Sequence, residues 1–463
     1  MQLHFEGPHP LPAALADPAH YGLVYWEASR PERGIYSCVV VRLRTVNDGW
    51  PALGGTRWLR SSGEGVIEGR IRALQEAAHL AVAMDSKNRL LRNAEARLGK
   101  TSDAWRARGK RFGWGGGKGV IWSPIESQHT TLDPERLMCH GRLLEFVGGD
   151  YIGSKDQGVG SAELKWIERA TRYTIGGRCA VDTGDPTAFG VLAAISQVAK
   201  ERRLIPDSVA PTADFVTGVV RPALDGLNVV VLGAGKVGLP LLSLLDRSGA
   251  TCRVYDPELK LGDVDKCFEN AQRLGAAVDS SHLMLLRRLA SEGRIFEHEP
   301  DALLCEAGQI LSPNGGNTNW LGEPVSPGGP SRAAFLAEAN RRGATRWQAV
   351  VGAANAQTTQ SSEHEIVSHL ADGDIHFIHD TLISPGGVIA VSHELASEWR
   401  LDRVRRDAFE IVLENVSAAY RGARLLHEEN AEGLLQACQI LSQSEPLLAP
   451  LPPQRSHQLE RMP

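Results

Sequence analysis

No two cysteines in the sequence stand at the C-x-x-C spacing of a metal knuckle or a redox loop. The seven cysteines, at 38, 139, 179, 252, 267, 305 and 438, are scattered and odd in number. That usage suits a reducing, cytoplasmic setting and argues against a structural metal site. The fifteen histidines include no HExxH pair, so no metal is expected at all. No apolar run approaches the ~18 residues of a spanning helix, which gives no expectation of a membrane. The start, "MQLHFEGPHPLPAALADP", has neither a basic opening nor a clean apolar stretch and does not read as a signal peptide. A net charge of -5 leaves no electrostatic footprint for nucleic acid. What remains is ordinary globular composition, 42% hydrophobic and 23% charged over 463 residues, with room for two or three domains.

Against this background "RFGWGGGKGVI", residues 111–121, stands out. It is not a P-loop, which requires G-x-x-x-x-G-K-[ST] opening a helix. Gly119 follows Lys118 where Ser or Thr is needed, and Phe112 occupies the place of the first glycine. The following "GVIW" is β-type, so the stretch reads as a glycine-rich turn entering a strand, with Lys118 at its tip. A flexible surface turn is the competing reading; close backbone approach to a ligand is the functional one.

Along the chain, residues 36–45 read as a strand and "IEGRIRALQEAAHLAVAM" as a helix. From Arg89 to Arg111 eight Lys/Arg face two acids, which by default marks a solvated face or an oligomer contact. "PERLMCHGRLLEFV" and "PTAFGVLAAISQVAKERRL" read as helices, "DALLCEAG" (or "QILSP"), "WQAVVGAAN" and "IHFIHDTLI" as strands, and 400–440 as long and helical. The proline-rich tail after Glu445 reads as disordered.

Residues 227–256 change character. A branched-residue strand ends in Gly233-Ala-Gly235-Lys236-Val237-Gly238, an apolar helix follows, and a second strand ends in Asp256. This is the dinucleotide fingerprint in its required context, with the acid at about the ~20-residue distance from the glycines. The first glycine permits the tight turn, the second lets pyrophosphate approach the helix N-terminus, and the third allows close helix–strand packing. A carboxylate at 256 suits ribose hydroxyls and repels a 2′-phosphate, which favours NAD. A nicotinamide site implies hydride transfer, so acid–base groups are expected elsewhere. "PALGGTR", "MDSKN", "GGGKG" and "SKDQGVG" each combine a permissive backbone with an isolated charge. If they share one cleft, Lys87 could fix a substrate carboxylate and Asp156 could shuttle protons. Lys118, crowded by Lys87 and desolvated, would lose its proton more readily than a free lysine. Taken singly, each is better explained as a surface lysine or a loop-capping aspartate.

Over most of residues 36–400 these segments, in order, resemble the glutamate/leucine/phenylalanine/valine dehydrogenase family. "PALGGTR" resembles its substrate-carboxylate glycine turn, with Leu53, Gly54 and Gly55. "MDSKN" resembles the segment of the carboxylate-binding lysine, here Lys87. "GGGKG" and "SKDQGVG" resemble those of the catalytic lysine and aspartate, here Lys118 and Asp156. "GDPTAFGV" is similar to the hinge whose threonine, here Thr187, sits by the nicotinamide amide. "GAANAQ" is similar to a strand-end motif whose asparagine, Asn355, lies near substrate and cofactor. "SPGGVIAVSHE" resembles the turn and helix closing the side-chain pocket.

The resemblance implies an α/β fold: a substrate and oligomerisation domain, about 1–184, and a Rossmann-type NAD domain, about 185–414, with the active site in the cleft between them. The helices of about 415–463 are candidates to pack back on the first. It implies NAD-dependent, reversible oxidative deamination of an L-amino acid to a 2-oxo acid and ammonium, in a homo-oligomer of at least two subunits. Glutamate-specific members carry a lysine where Leu53 stands and a serine where Val391 stands. With Leu53, Ser154, Val388 and Val391 around it, the implied pocket is mostly apolar, and a buried γ-carboxylate would go unpaired. An aliphatic or aromatic substrate is therefore expected, with a tryptophan- or phenylalanine-specific enzyme as the alternative. A non-catalytic, NAD-sensing scaffold is the rival from another class. Lys87 and Lys118 lie much farther apart in sequence than is usual in the family, and the basic insertion of 88–113 fills the gap.

Overall fold

The computed structural model describes residues 3–12, 22–42, 51–99 (without 62), 114–124, 132–176, 183–205, 211–259 (without 222), 263–273, 276–314, 319–354, 357–358, 362–395 and 400–443. The chain divides into two compact units. The first takes residues 1–92, 102–181 and 445–463, the second 93–101 and 182–444.

The first unit is built on a mixed sheet. Its strands are β1 (His4–Pro10), β2 (Leu23–Arg30), β3 (Ile35–Arg42), β4 (Ala52–Arg60), β5 (Gly115–Ser123) and β6 (Tyr151–Lys155), in the order β1-β2-β3-β5-β4-β6. The first four in that order pair antiparallel, and β5-β4-β6 pair parallel. Helix α1 (Val66–Arg97) covers one face; α2 (Pro134–Val147) and α3 (Ser161–Glu168) cover the other. The local signals for α2 are complete. Asp133 caps it by accepting from Arg136 N at 2.9 Å, Pro134 starts it, and Gly148 at φ 74° ends it.

Strand β5 is buried along its whole length. Val120 and Trp122 pack with Ala73, Leu74, Ala77, Ala78 and Ala81 of α1, whereas Ile121 packs with Leu137 and Leu143 of α2. The two-residue period of a strand therefore turns Gly116 and Lys118 toward α1. At Gly116 helix and strand meet backbone to backbone: a Cβ there would lie 2.3 Å from Asp85 N and 2.4 Å from Ala81 O. Glycine is required for proximity, not for an unusual φ. The expected glycine-rich turn with Lys118 at its tip is thus an interior strand. "PALGGTR" is likewise strand β4 rather than a turn.

The second unit carries a parallel sheet. Its strands are β9 (Asn228–Leu232), β10 (Thr251–Tyr255), β11 (Ile295–Phe296), β12 (Ile310–Pro313), β13 (Ala349–Val351) and β14 (His376–Ile378), after a small hairpin of β7 (Thr212–Ala213) and β8 (Val220–Arg221). The order β11-β10-β9-β12-β13-β14, parallel throughout, is that of the doubly wound dinucleotide fold, reversing direction between β9 and β12. Its helices are α4 (Gly184–Glu201), α5 (Gly238–Arg247), α6 (Val264–Arg273), α7 (Ser280–Ser291), α8 (Glu299–Leu303), α9 (Arg332–Arg341), α10 (Glu363–Asp372), α11 (Asp380–Ile383), α12 (Gly386–Leu395), α13 (Leu401–Leu425) and α14 (Ala431–Gln443).

Of the two candidates for one strand, "QILSP" forms β12; "DALLCEAG" instead supplies the end of α8 and the turn after it. "IHFIHDTLI" is strand only through Ile378 and then turns into α11. The start of the basic segment, 89–97, continues α1, and within the second unit Arg97 pairs with Glu414 at 2.8 Å. The remainder of that segment from 100 to 113, Asn355 and the tail after Glu445 lie outside the described residues.

Replacing Gly116 by Ala should destabilise the protein by at least ~1–3 kcal/mol, because the helix must move off the strand. A urea denaturation midpoint equal to wild type would contradict that contact.

Candidate active site

Lys118 is 4% exposed, and its ammonium pairs with Asp156 Oδ2. Asp156 sits just past β6 in a tight turn closed by two backbone bonds, Asp156 N to Val159 O at 3.2 Å and Val159 N to Asp156 O at 3.0 Å. The same carboxylate oxygen accepts from Arg57 Nε at 3.1 Å, while Arg57 Nη1 donates to Glu76 Oε1 on α1 at 2.6 Å. Parallel register sets Gly55 beside Ser154 and Leu53 beside both Ile152 and Gly116. Leu53, Gly55, Arg57, Lys118 and Ser154 therefore share the face turned to α1. Gly55 lets Asp156 close in: a Cβ there would stand 2.6 Å from Asp156 Cβ.

Lys87 is buried on α1 over this face. Its helix is fixed to β5 by Asn88 Nδ2, which donates to Gly115 O at 2.8 Å. Asp85 is held by Arg42 at 3.2 Å and Arg89 at 3.1 Å. The electrostatics follow from this crowding. Burial depresses the Lys118 ammonium; Asp156 opposes that, and Arg57 and Lys87 push it down further. Burial works to raise the Asp156 carboxyl, but Lys118 and Arg57 outweigh it and hold the group well below the usual carboxylate range.

In the second unit the fingerprint glycines form a closed turn. Gly233 has φ 92°, and a Cβ on Gly238 would stand 1.7 Å from Gly233 O. Gly235, Lys236 and Val237 lie between them, leading into α5. Asp256 at the end of β10 accepts from Ala234 N at 2.7 Å and Glu258 N at 2.9 Å, which ties the second strand to the glycine turn. Thr187, in the first turn of α4, donates to Thr183 O at 2.7 Å and abuts Gly386 at the start of α12. Val388 and Val391 are buried on α12. The structure thus groups Lys87, Lys118, Asp156, Leu53, Gly54, Gly55 and Ser154 in the first unit, and the fingerprint, Asp256, Thr187, Val388 and Val391 in the second.

No family model matches the chain. Among curated proteins it is 26% identical over 365 residues to a valine dehydrogenase of Streptomyces virginiae, covering 78% of each chain. To a leucine dehydrogenase of Thermoactinomyces intermedius it is 25% identical, covering 87% of this chain and 88% of that one. The crystal structure of L-tryptophan dehydrogenase from Nostoc punctiforme has the same fold, with a TM-score of 0.56 and 18% identity over 90% of this chain and 95% of that one. The chain is thus similar to amino-acid dehydrogenases over most of its length. Such a relationship implies a nicotinamide dinucleotide cofactor. The turn at 233–238 fits one: Gly233 at φ 92° and the contact of Gly238 with Gly233 O close it tightly at the start of α5, where a pyrophosphate would meet backbone amides.

Two buried residues packed around strands β4 and β5 escaped sequence reasoning. Arg57 was legible in principle, because strand alternation puts it two residues beyond Gly55 on the same face. His140 lies on the opposite face, against Gly119, and nothing in its helical context marks it. It is fully buried, with Nδ1 2.6 Å from Ser37 Oγ and Nε2 3.1 Å from Thr56 Oγ1. Burial pushes its imidazole down to about 3. Between about pH 6.5 and about 3 the unfolded chain therefore binds a proton that the folded chain refuses. Stability from this group is fully present above that window and falls on acidification, by up to ~1.4 kcal/mol per pH unit. Urea midpoints of wild type and His140→Gln at pH 4.5 and 7 should converge at the lower pH; equal slopes would refute the assignment.

Proposed function

We propose that the chain catalyses reversible, NAD-dependent oxidative deamination of an apolar L-amino acid, giving a 2-oxo acid and ammonium. The observation that carries this reading is the buried Lys118–Asp156 pair with Lys87 beside it. Lys87 and the Gly54-Gly55 backbone hold the substrate carboxylate. Bound NAD supplies the hydride acceptor. Lys118, whose ammonium is destabilised by burial, takes the proton of a water that attacks the oxidised Cα. Asp156, ionised beside it, exchanges protons with the departing amine. The family resemblance gives Thr187 and Asn355 the nicotinamide end.

Asp256 selects NAD over NADP on this reading. Its carboxylate is held at the strand end by two backbone amides, where it would repel a 2′-phosphate. Leu53 in the first unit, and Val388 and Val391 in the second, are buried apolar residues that offer no partner for a γ-carboxylate, so glutamate is a poor substrate on this reading. The aliphatic preference follows the valine and leucine dehydrogenases among the sequence relatives. An aromatic preference is the second reading, following the phenylalanine and tryptophan dehydrogenases among the sequence relatives. The six described cysteines are free, in keeping with a reducing compartment. Assembly into at least a dimer is part of the same proposal.

NADH formation with leucine, valine, phenylalanine, tryptophan and glutamate tests this directly. One or more of the first four should be oxidised and glutamate should not. Lys118→Ala should lose about 10²–10⁴-fold in turnover while NAD binding stays near wild type. Turnover of that variant at the wild-type rate would remove Lys118 from the mechanism. A complete absence of NADH across the panel would favour a nucleotide-sensing scaffold.

A further inference from the structure

Lys118 Nζ and Arg57 Nε converge on one oxygen, Asp156 Oδ2, and Arg57 is simultaneously held by Glu76. Arg57 is 8% exposed, so its charge acts with little screening by water. The backbone ladders of β4, β5 and β6 already hold these strands in register. Register alone does not call for a buried guanidinium shared between two acids.

We propose that Arg57 and Glu76 form a positioning pair that divides Asp156 Oδ2 between Arg57 and Lys118, and so sets how firmly Lys118 holds its proton. The sense of each half is fixed by charge. Arg57 places a cation near Lys118 and draws on the oxygen that would otherwise serve the ammonium alone; both effects loosen the lysine proton. Glu76 restrains Arg57: it offsets the guanidinium charge and holds it from α1, away from full engagement with Asp156. The pair is therefore a setting between two extremes. Without Arg57 the lysine would be locked as an ammonium by Asp156; without Glu76 it would lose its proton more readily.

Among the described residues, other charged groups also bear on Lys118. Lys87, from α1, adds a second cation. Asp85, also on α1, is engaged by Arg42 and Arg89. On the reverse side of the sheet His140 is neutral over the working range, and the Tyr151 hydroxyl donates to Gly54 O at 2.7 Å.

The proposal rests on Lys118 as the base, yet it can be read without turnover. Trace acetylation of the whole protein by acetic anhydride across pH, followed by peptide mass spectrometry, gives the protonation midpoint of Lys118. Arg57→Gln should raise that midpoint by about one pH unit or more, and Glu76→Gln should lower it. Arg57→Lys, which keeps the cation, should stay nearer wild type than Arg57→Gln. Movement of both neutral variants in the same direction, or of neither, would overturn the proposal. If circular dichroism shows Arg57→Gln unfolded, the downward shift in Glu76→Gln decides, and no shift there rejects it. Where an amino acid is turned over, the acid limb of kcat/KM should move in the same senses as the labelling midpoints. If none is turned over, the function fails while the labelling result on the pair still stands.

Discussion

The chemistry of the first unit depends on one contact, the backbone-to-backbone approach of helix α1 to strand β5 at Gly116. That approach leaves no room for a side chain on the strand and places Lys87 over the face from which Lys118 projects. It also shuts out the water that would otherwise stabilise the Lys118 ammonium. Burial of a charge is costly unless a partner is fixed nearby, and here the partner is Asp156, presented by a closed turn at the end of β6. Small residues at 54, 55, 116 and 117 are thus the condition for gathering charge in so small a space.

Several ionised groups then share the interior. Removing one of them leaves the others uncompensated, a loss of ~3–5 kcal/mol in buried pairs generally. Such clusters are weak sources of stability, since packed apolar groups could do as well. Their value here is positional. Asp156 pairs with both the Lys118 ammonium and Arg57, and Glu76 holds Arg57 from α1. The dinucleotide turn follows the same logic at a different scale. Gly238 leaves room for the carbonyl of Gly233, and Asp256 pins the strand end to the amide of Ala234.

Much of this was legible in the sequence. The βαβ unit at 227–256 has its period, its glycines and its terminal acid in one short stretch, and the strand order of the second unit agrees with it. Helix α2 carries its own cap, its proline and its closing glycine. Other features were misread for physical reasons. Glycines usually signal turns, but Gly116 answers to Ala81 and Asp85 of a helix far earlier in the chain, and Gly117 and Gly119 to Tyr151 and His140 on the other face, which no local pattern reveals. The α8 segment carries the apolar residues of a short strand in a length too brief for periodicity to separate strand from helix. Lys118 and Asp156 stood out as isolated charges on permissive backbone and the resemblance paired their roles; their mutual contact follows from the pairing of β4 with β5 and β6. His140 and Glu76 acquire their roles only through three-dimensional neighbours.

The central claim is that the α1–β5 contact makes Lys118 a lysine with a loosely held proton. The pH midpoint of Lys118 acylation in the unliganded wild-type protein measures this most directly. The account predicts a midpoint clearly below the ordinary lysine value of ~10.4. A midpoint at or above that value would mean that Asp156 outweighs burial, and that Lys118 serves as a fixed cation rather than as a base.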